Sequence, residues 1–199
     1  DPKNAFTTLR KLQKLKPQSL LDIGCGNGQR TFLFAKNVSN SVLGIDYSPE
    51  MIKIADNTLL SKNSEIKNIP TLTVKPIQSK FSDKFSENDI SKIKNYDIDV
   101  LFRLGFRILR GDILKSSKYG VWSFHHGDDD TNRGGPAGFW EVLLNQPTTG
   151  TILQILSEDL DGGKVIYKSF SSTNKFSINR NRENFYWKSS SFLIRSLKE

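Results

Sequence analysis

The stretch Ser19-Leu20-Leu21-Asp22-Ile23-Gly24-Cys25-Gly26-Asn27-Gly28 decides the fold class. An apolar run enters a turn with glycine at alternate positions, and Thr31 to Lys36 continues with helical character. Ser41 to Ile45 is a second short apolar strand. The order strand, glycine turn, helix, strand is the opening of a parallel βαβ unit. Ser48-Pro49-Glu50 then predicts another helix, with Ser48 as N-cap and Pro49 at the first helical position.

Working outward, Leu9, Leu12 and Leu15 stand three residues apart among lysines and predict an amphipathic helix that stops before Pro17. Downstream, Ser86 with Asp89 reads as a capping box for a helix through Lys94. Ile98 to Phe102, Tyr119 to Phe124 and Thr151 to Leu156 read as strands, Pro136 to Leu144 as a helix, and Val165 to Phe170 as a closing or edge strand. This alternation predicts an α/β fold with a doubly wound, mostly parallel, Rossmann-like sheet. Polar Ser61 to Ile69, followed by Pro70, is the candidate junction between residues 1–68 and 69–199.

A chain of 199 residues with one cysteine has room for one sizeable core and no disulfide framework, so a cytoplasmic setting is expected. No apolar run reaches the ~18 residues of a membrane helix, and the polar start at Asp1 is not a signal peptide. The net charge of +8 is unevenly spread. Residues 1–68 hold ten Lys/Arg against six Asp/Glu, residues 69–163 eleven against thirteen, and residues 164–199 eight against two. A slightly acidic middle between basic flanks disfavours a general nucleic-acid surface.

The segment from Leu20 to Asp56 resembles motif I and the following acidic position of the Rossmann-like S-adenosylmethionine methyltransferases. The resemblance implies that Asp22, Gly24, Gly26 and Gly28 line the methionine moiety and that Asp46, at the end of the second strand, holds the ribose. Read from the residues alone, the same turn is either a ligand site or a structural βα connection. No fourth-strand motif or substrate-specific methyltransferase motif follows Asp56.

From about residue 70 the chain resembles the 10-formyltetrahydrofolate-dependent formyltransferases. Three ordered pieces carry this: Asp99-Val100-Leu101-Phe102-Arg103-Leu104-Gly105-Phe106-Arg107-Ile108-Leu109; Ser123-Phe124-His125 with Arg133-Gly134-Gly135-Pro136; and Gly150-Thr151-Ile152-Leu153 leading to Leu160-Asp161-Gly162-Gly163. The resemblance implies that His125 and Asp161 are the catalytic pair. It also implies that Gly105, Phe106, Ile108 and Leu109, with Leu160, Gly162 and Gly163, wrap the folate. An imidazole can donate to a developing oxyanion or move a proton near neutral pH, and a carboxylate can orient it. The family's oxyanion-polarising Asn stands two residues before the His; Ser123 occupies that place here, and His126 is the neighbouring group that could compensate.

Both pedigrees do not fit whole into 199 residues, so the two halves are expected to share one formyltransferase-like sheet. The expected function is N-formyl transfer from 10-formyltetrahydrofolate to a primary amine of an amino sugar or nucleotide-linked substrate. The alternatives are an S-adenosylmethionine-dependent methyltransferase and a non-catalytic nucleotide- or nucleic-acid-binding module using the basic tail. The expected partners are a small-molecule amine and, as an option, a second copy of the chain, with no membrane and no nucleic acid. Without a CxxC or a spaced His pair no metal is expected, and Asp128-Asp129-Asp130 reads as an acidic loop that attracts a cationic amine or is simply solvated. In the tail, Asn179-Arg180-Asn181-Arg182 and Tyr186-Trp187-Lys188 with Lys175 and Arg195 read as a patch for a phosphate or nucleotide, as a dimer contact, or as a solvated edge with Phe185, Trp187 and Phe192 packing back on the domain.

Overall fold

The computed structural model describes residues 18–37, 41–61, 70–131, 135–160, 162–189, 192 and 196. The predicted Leu9 to Leu15 helix and most of the Ser61 to Ile69 junction lie outside them. A mostly parallel seven-stranded sheet has the order β10-β9-β8-β6-β1-β2-β3. Its strands are β1 (Ser19–Ile23), β2 (Ser41–Asp46), β3 (Thr71–Thr73), β6 (Val100–Arg103), β8 (Val121–His125), β9 (Thr148–Ile155) and β10 (Lys164–Ser172). A small second sheet holds β4 (Ile77–Gln78), β5 (Ser82–Lys84) and β7 (Ile108–Leu109). The helices are α1 (Gln29–Asn37), α2 (Pro49–Ser61), α3 (Glu87–Lys94), α4 (Phe139–Leu143) and α5 (Ile178–Ser189), with a 3-10 turn at Asp112–Lys115.

The chain divides into two compact units. One comprises residues 17–122 and 156–158. In it β1 pairs in parallel with β2 on one side and β6 on the other. All five β1 residues are buried, as expected for a central parallel strand covered on both faces. Leu21, Ile23, Leu43, Ile45 and Leu101 are at most 1% exposed and anchor one core cluster with Phe106, Leu109 and Val121. Each such side chain contributes about 1.5–3 kcal/mol of burial. The sequence-predicted caps are present: Ser48 Oγ accepts from the Met51 amide at 3.2 Å and Ser86 Oγ from Asp89 at 3.1 Å.

The other unit comprises, of the described residues, 123–131, 135–155, 159–160, 162–189, 192 and 196. Here β9 and β10 form a long antiparallel pair. Asn181, fully buried on α5, ties the unit together: its side-chain amide donates to the Gly138 carbonyl at 3.1 Å and to Thr149 Oγ1 at 2.9 Å. The helix predicted from Pro136 begins only at Phe139, because Gly138 takes a left-handed φ of 67° that the helix cannot include.

Candidate functional site

Side chains alternate along β8, so Ser123 and His125 share one face while Phe124 takes the other. Ser123 is 1% exposed, and its hydroxyl donates to the Phe124 carbonyl at 3.3 Å. His125 ends the strand, and among the described residues its Nε2 is buried without a hydrogen-bond partner. A buried polar nitrogen left unpaired costs about 1–3 kcal/mol, which a bound ligand can recover. Asp161 lies outside the described residues.

His126 is enclosed by aromatic rings. Its ring lies 5.3 Å from Phe185 and 4.6 Å from Tyr186, and Nδ1 is 3.2 Å from Thr151 Oγ1. Burial, with the neighbouring His125 adding to it, pushes the His126 pKa down to about 4. It is therefore a neutral member of an aromatic stack at physiological pH.

The acidic loop after β8 is not merely solvated. Lys168 of β10 places its Nζ 2.5 Å from Asp128 Oδ1, 2.6 Å from Asp129 Oδ1 and 2.9 Å from Asp130 Oδ2. Carboxylate oxygens of the three aspartates lie within 4.8 Å of one another, a spacing a cation could use, and here the cation is an ammonium. Burial opposes the charge on Lys168, and the three carboxylates overcome it, raising its pKa above the usual lysine value. For Asp128, burial works to raise the pKa, and the bond and charge of Lys168 together with the Asp130 amide and Asp129 outweigh burial and lower it. Gly150 of β9 lets this loop lie close, since a Cβ there would stand 2.9 Å from the Asp128 Cα. Sequence reading missed Lys168 and Gly150; the available signal was a lysine in an apolar strand paired with an otherwise uncompensated run of three acids.

The Leu160-to-Gly163 loop has its turn closed by the Gly162 amide donating to the Asp159 carbonyl at 3.1 Å, and leaves Leu160 62% exposed. Gly163 packs against β9, where a Cβ would meet the Ile155 carbonyl at 2.7 Å. In the tail, Phe185 and Phe192 are buried as predicted, but Trp187 is 84% exposed. Trp187 instead borders an open groove of about 950 Å³ with Phe170, Tyr186 and Lys188, because helical spacing carries it off the face that buries Asn181, Phe185 and Ser189.

In the first unit the glycine turn follows β1. Asp22 is fully buried and accepts from Thr31 Oγ1 at 2.8 Å. Asp46, 6% exposed, accepts from the Gly26 amide at 2.9 Å and from the Ser48 amide at 3.0 Å. Gly28 lies against Ala55 of α2. After β6, Gly105 turns the chain with φ 85°, Phe106 and Leu109 join the core, and Ile108 is 37% exposed. Arg107 secures this segment through Asp83, its Nη2 and Nε lying 2.7 Å and 3.0 Å from Oδ1.

A family model described as a methyltransferase domain matches residues 15–118, just over half of the chain. The chain belongs to this methyltransferase domain family. The match runs past Asp56, where the recognisable methyltransferase motifs end, and into the segment that resembles formyltransferases, as far as the piece Asp99 to Leu109. No curated protein sequence matches.

The fold of this methyltransferase-domain protein is that of formyltransferases. A glycinamide ribonucleotide transformylase 1 from Geobacillus kaustophilus superposes with TM-score 0.70 at 17% identity, covering 92% of this chain and 97% of that one. Its counterpart from Symbiobacterium toebii gives 0.69 at 11% identity, with 92% and 87% covered. A formyltetrahydrofolate deformylase from Pseudomonas syringae gives 0.61 at 16% identity, covering 90% of this chain and 59% of that one. Family and fold together make the protein a one-carbon group transferase. Among the described residues no helix is long and apolar enough to cross a membrane.

Proposed function

We propose that the protein is an N-formyltransferase that uses 10-formyltetrahydrofolate and a primary amine, carried by an amino sugar or a nucleotide-linked substrate, in the cytoplasm. The observation that carries this reading is the orphaned Nε2 of His125 at the end of β8, within a formyltransferase fold.

When bound, 10-formyltetrahydrofolate supplies an electrophilic formyl carbon on a nitrogen that can depart. His125 Nε2 takes the proton shed by the attacking amine and returns it to the departing nitrogen, or donates to the formyl oxygen as it gains charge. Asp161 orients the imidazole and stabilises its charged form. Ser123 contributes only if its hydroxyl turns away from the Phe124 carbonyl, so the oxygen is held by fewer donors than an Asn at that position would provide. Loss of one such donor costs on the order of 100-fold or more in rate, so this enzyme is expected to be slow.

The test is a thermal-shift titration with 5-formyltetrahydrofolate, S-adenosylhomocysteine and a short oligonucleotide in parallel. A ligand at ~100 Kd adds about 2.7 kcal/mol to the native state. A saturable shift with the folate alone supports formyl transfer; no shift with the folate overturns it. Family membership favours S-adenosylmethionine-dependent methyl transfer as the second reading, and a shift with S-adenosylhomocysteine alone would establish it. The non-catalytic module is supported only by a shift with the oligonucleotide.

A further inference from the structure

Strand order reverses on either side of β1, with β2 to one side and β6 to the other. In doubly wound sheets the crevice beyond the strand ends at such a reversal is where ligands bind. In this chain that crevice is filled from within. A Cβ on Gly24 would stand 1.7 Å from the Leu104 carbonyl oxygen and 2.9 Å from its carbon, so the segment after β6 lies directly on the glycine turn. The Leu104 amide donates to the Ile23 carbonyl at 2.8 Å, stitching the two strand ends together. One residue beyond Asp46, the Tyr47 ring stands edge-on to Phe106 with centroids 5.6 Å apart, and Phe106 is 4% exposed.

The polar groups a nucleoside would need are likewise committed. Asp46 is buried and accepts from the Gly26 and Ser48 amides, one on each carboxylate oxygen. The Gly24 and Cys25 amides both donate to the Ile45 carbonyl, at 2.8 and 2.9 Å. Asp22 is fully buried on Thr31. Among the turn's glycines and the described residues, Gly26 alone faces open space, and its amide is already donated. Entry of a nucleoside against the turn would have to displace Leu104 from Gly24 and expel Phe106 from the core beside Tyr47, so the residues do not fit S-adenosylmethionine.

We infer that the glycine turn of this methyltransferase-domain chain does not take S-adenosylmethionine and serves instead as the seat for the segment Leu104 to Phe106. Gly24 is then a positioning residue for the loop after β6, and Asp46 holds the turn in shape.

Calorimetric titration of the full chain with S-adenosylhomocysteine is expected to give no saturable heat. Saturable binding that Asp46→Asn abolishes would overturn the inference. Gly24→Ala is expected to lower the Tm of the ligand-free protein by more than about 5 °C, since the methyl group displaces Leu104; an unchanged Tm would remove the seating role. The wild-type titration decides the ligand half whether or not the Gly24 variant folds. A parallel titration with 5-formyltetrahydrofolate keeps the two readings apart: its failure counts against formyl transfer alone, whereas heat with S-adenosylhomocysteine counts against this inference whatever the folate does.

Discussion

The turn after β1 and the end of β8 carry the two sets of residues that suggest chemistry, and they differ in how their polar groups are spent. The turn has the more specific sequence, yet its amides and carboxylates are hydrogen-bonded within the protein and Leu104 lies directly on Gly24. The end of β8 has the weaker motif, with Ser123 where the resembled family has Asn, yet it leaves a buried imidazole nitrogen without a partner among the described residues. A motif gives residue types; a buried polar atom without a partner among the described residues is a position that calls for a chemical explanation.

The sharpest way to break this contrast is His125→Gln. It is expected to lower formyl transfer by about 10²–10⁴-fold with little change in Tm, measured by single-turnover kinetics and thermal melts. Turnover near that of the wild type would leave β8 no more functional than the turn.

A second effect separates the two adjacent histidines. The depressed His126 pKa means that the unfolded chain binds a proton the folded chain refuses. Stability is therefore full above pH about 6.5 and falls as pH drops towards about 4, by on the order of 3 kcal/mol. Denaturant melts at pH 7 and pH 4.5 should show the loss, and His126→Phe should remove most of it.

Lys168→Met is expected to cost about 1–3 kcal/mol, discounted because the ion cluster is partly exposed. It should also reverse a sign. With Lys168 present, the lowered Asp128 pKa makes stability fall as acid protonates that carboxylate. With Lys168 gone, three mutually repelling carboxylates should make mild acid stabilising. Melts of both proteins between pH 7 and pH 5 would show it.

The smallest expected effect is that of Ser123→Ala. Because the hydroxyl is turned to the Phe124 carbonyl, the change should cost less than about 10-fold in rate; a 100-fold loss would make Ser123 the oxyanion donor and the site better formed than its ground state suggests.

The features legible in the sequence were those with local causes. Apolar runs predicted β1 and β2, and both caps at Ser48 and Ser86 follow from residue chemistry. The three-residue β3 and β5 and the two-residue β4 and β7 are too short for any period to register, and tertiary pairing alone makes them strands. Helix α5 was missed because basic and polar residues break its apolar stripe, although Asn181 and Phe185 are fully buried on it. At the candidate sites, residue identities were legible but occupancy was not. Nothing local to Gly24 reports that a carbonyl 80 residues later rests on it, and nothing local to Asp128 reports Lys168.

The edge strand has a consequence for how the protein behaves in a crowded solution. Among the described strands β10 pairs only with β9, which leaves nine residues of backbone as a template on which another chain could build. The register slips between Val165 and Tyr167, so the outward row of donors and acceptors loses its even spacing near its start. Lys164 adds a charge at the same end. A foreign strand would find only the stretch after Tyr167 regular enough to extend, and there Lys188 already donates to the Phe170 carbonyl.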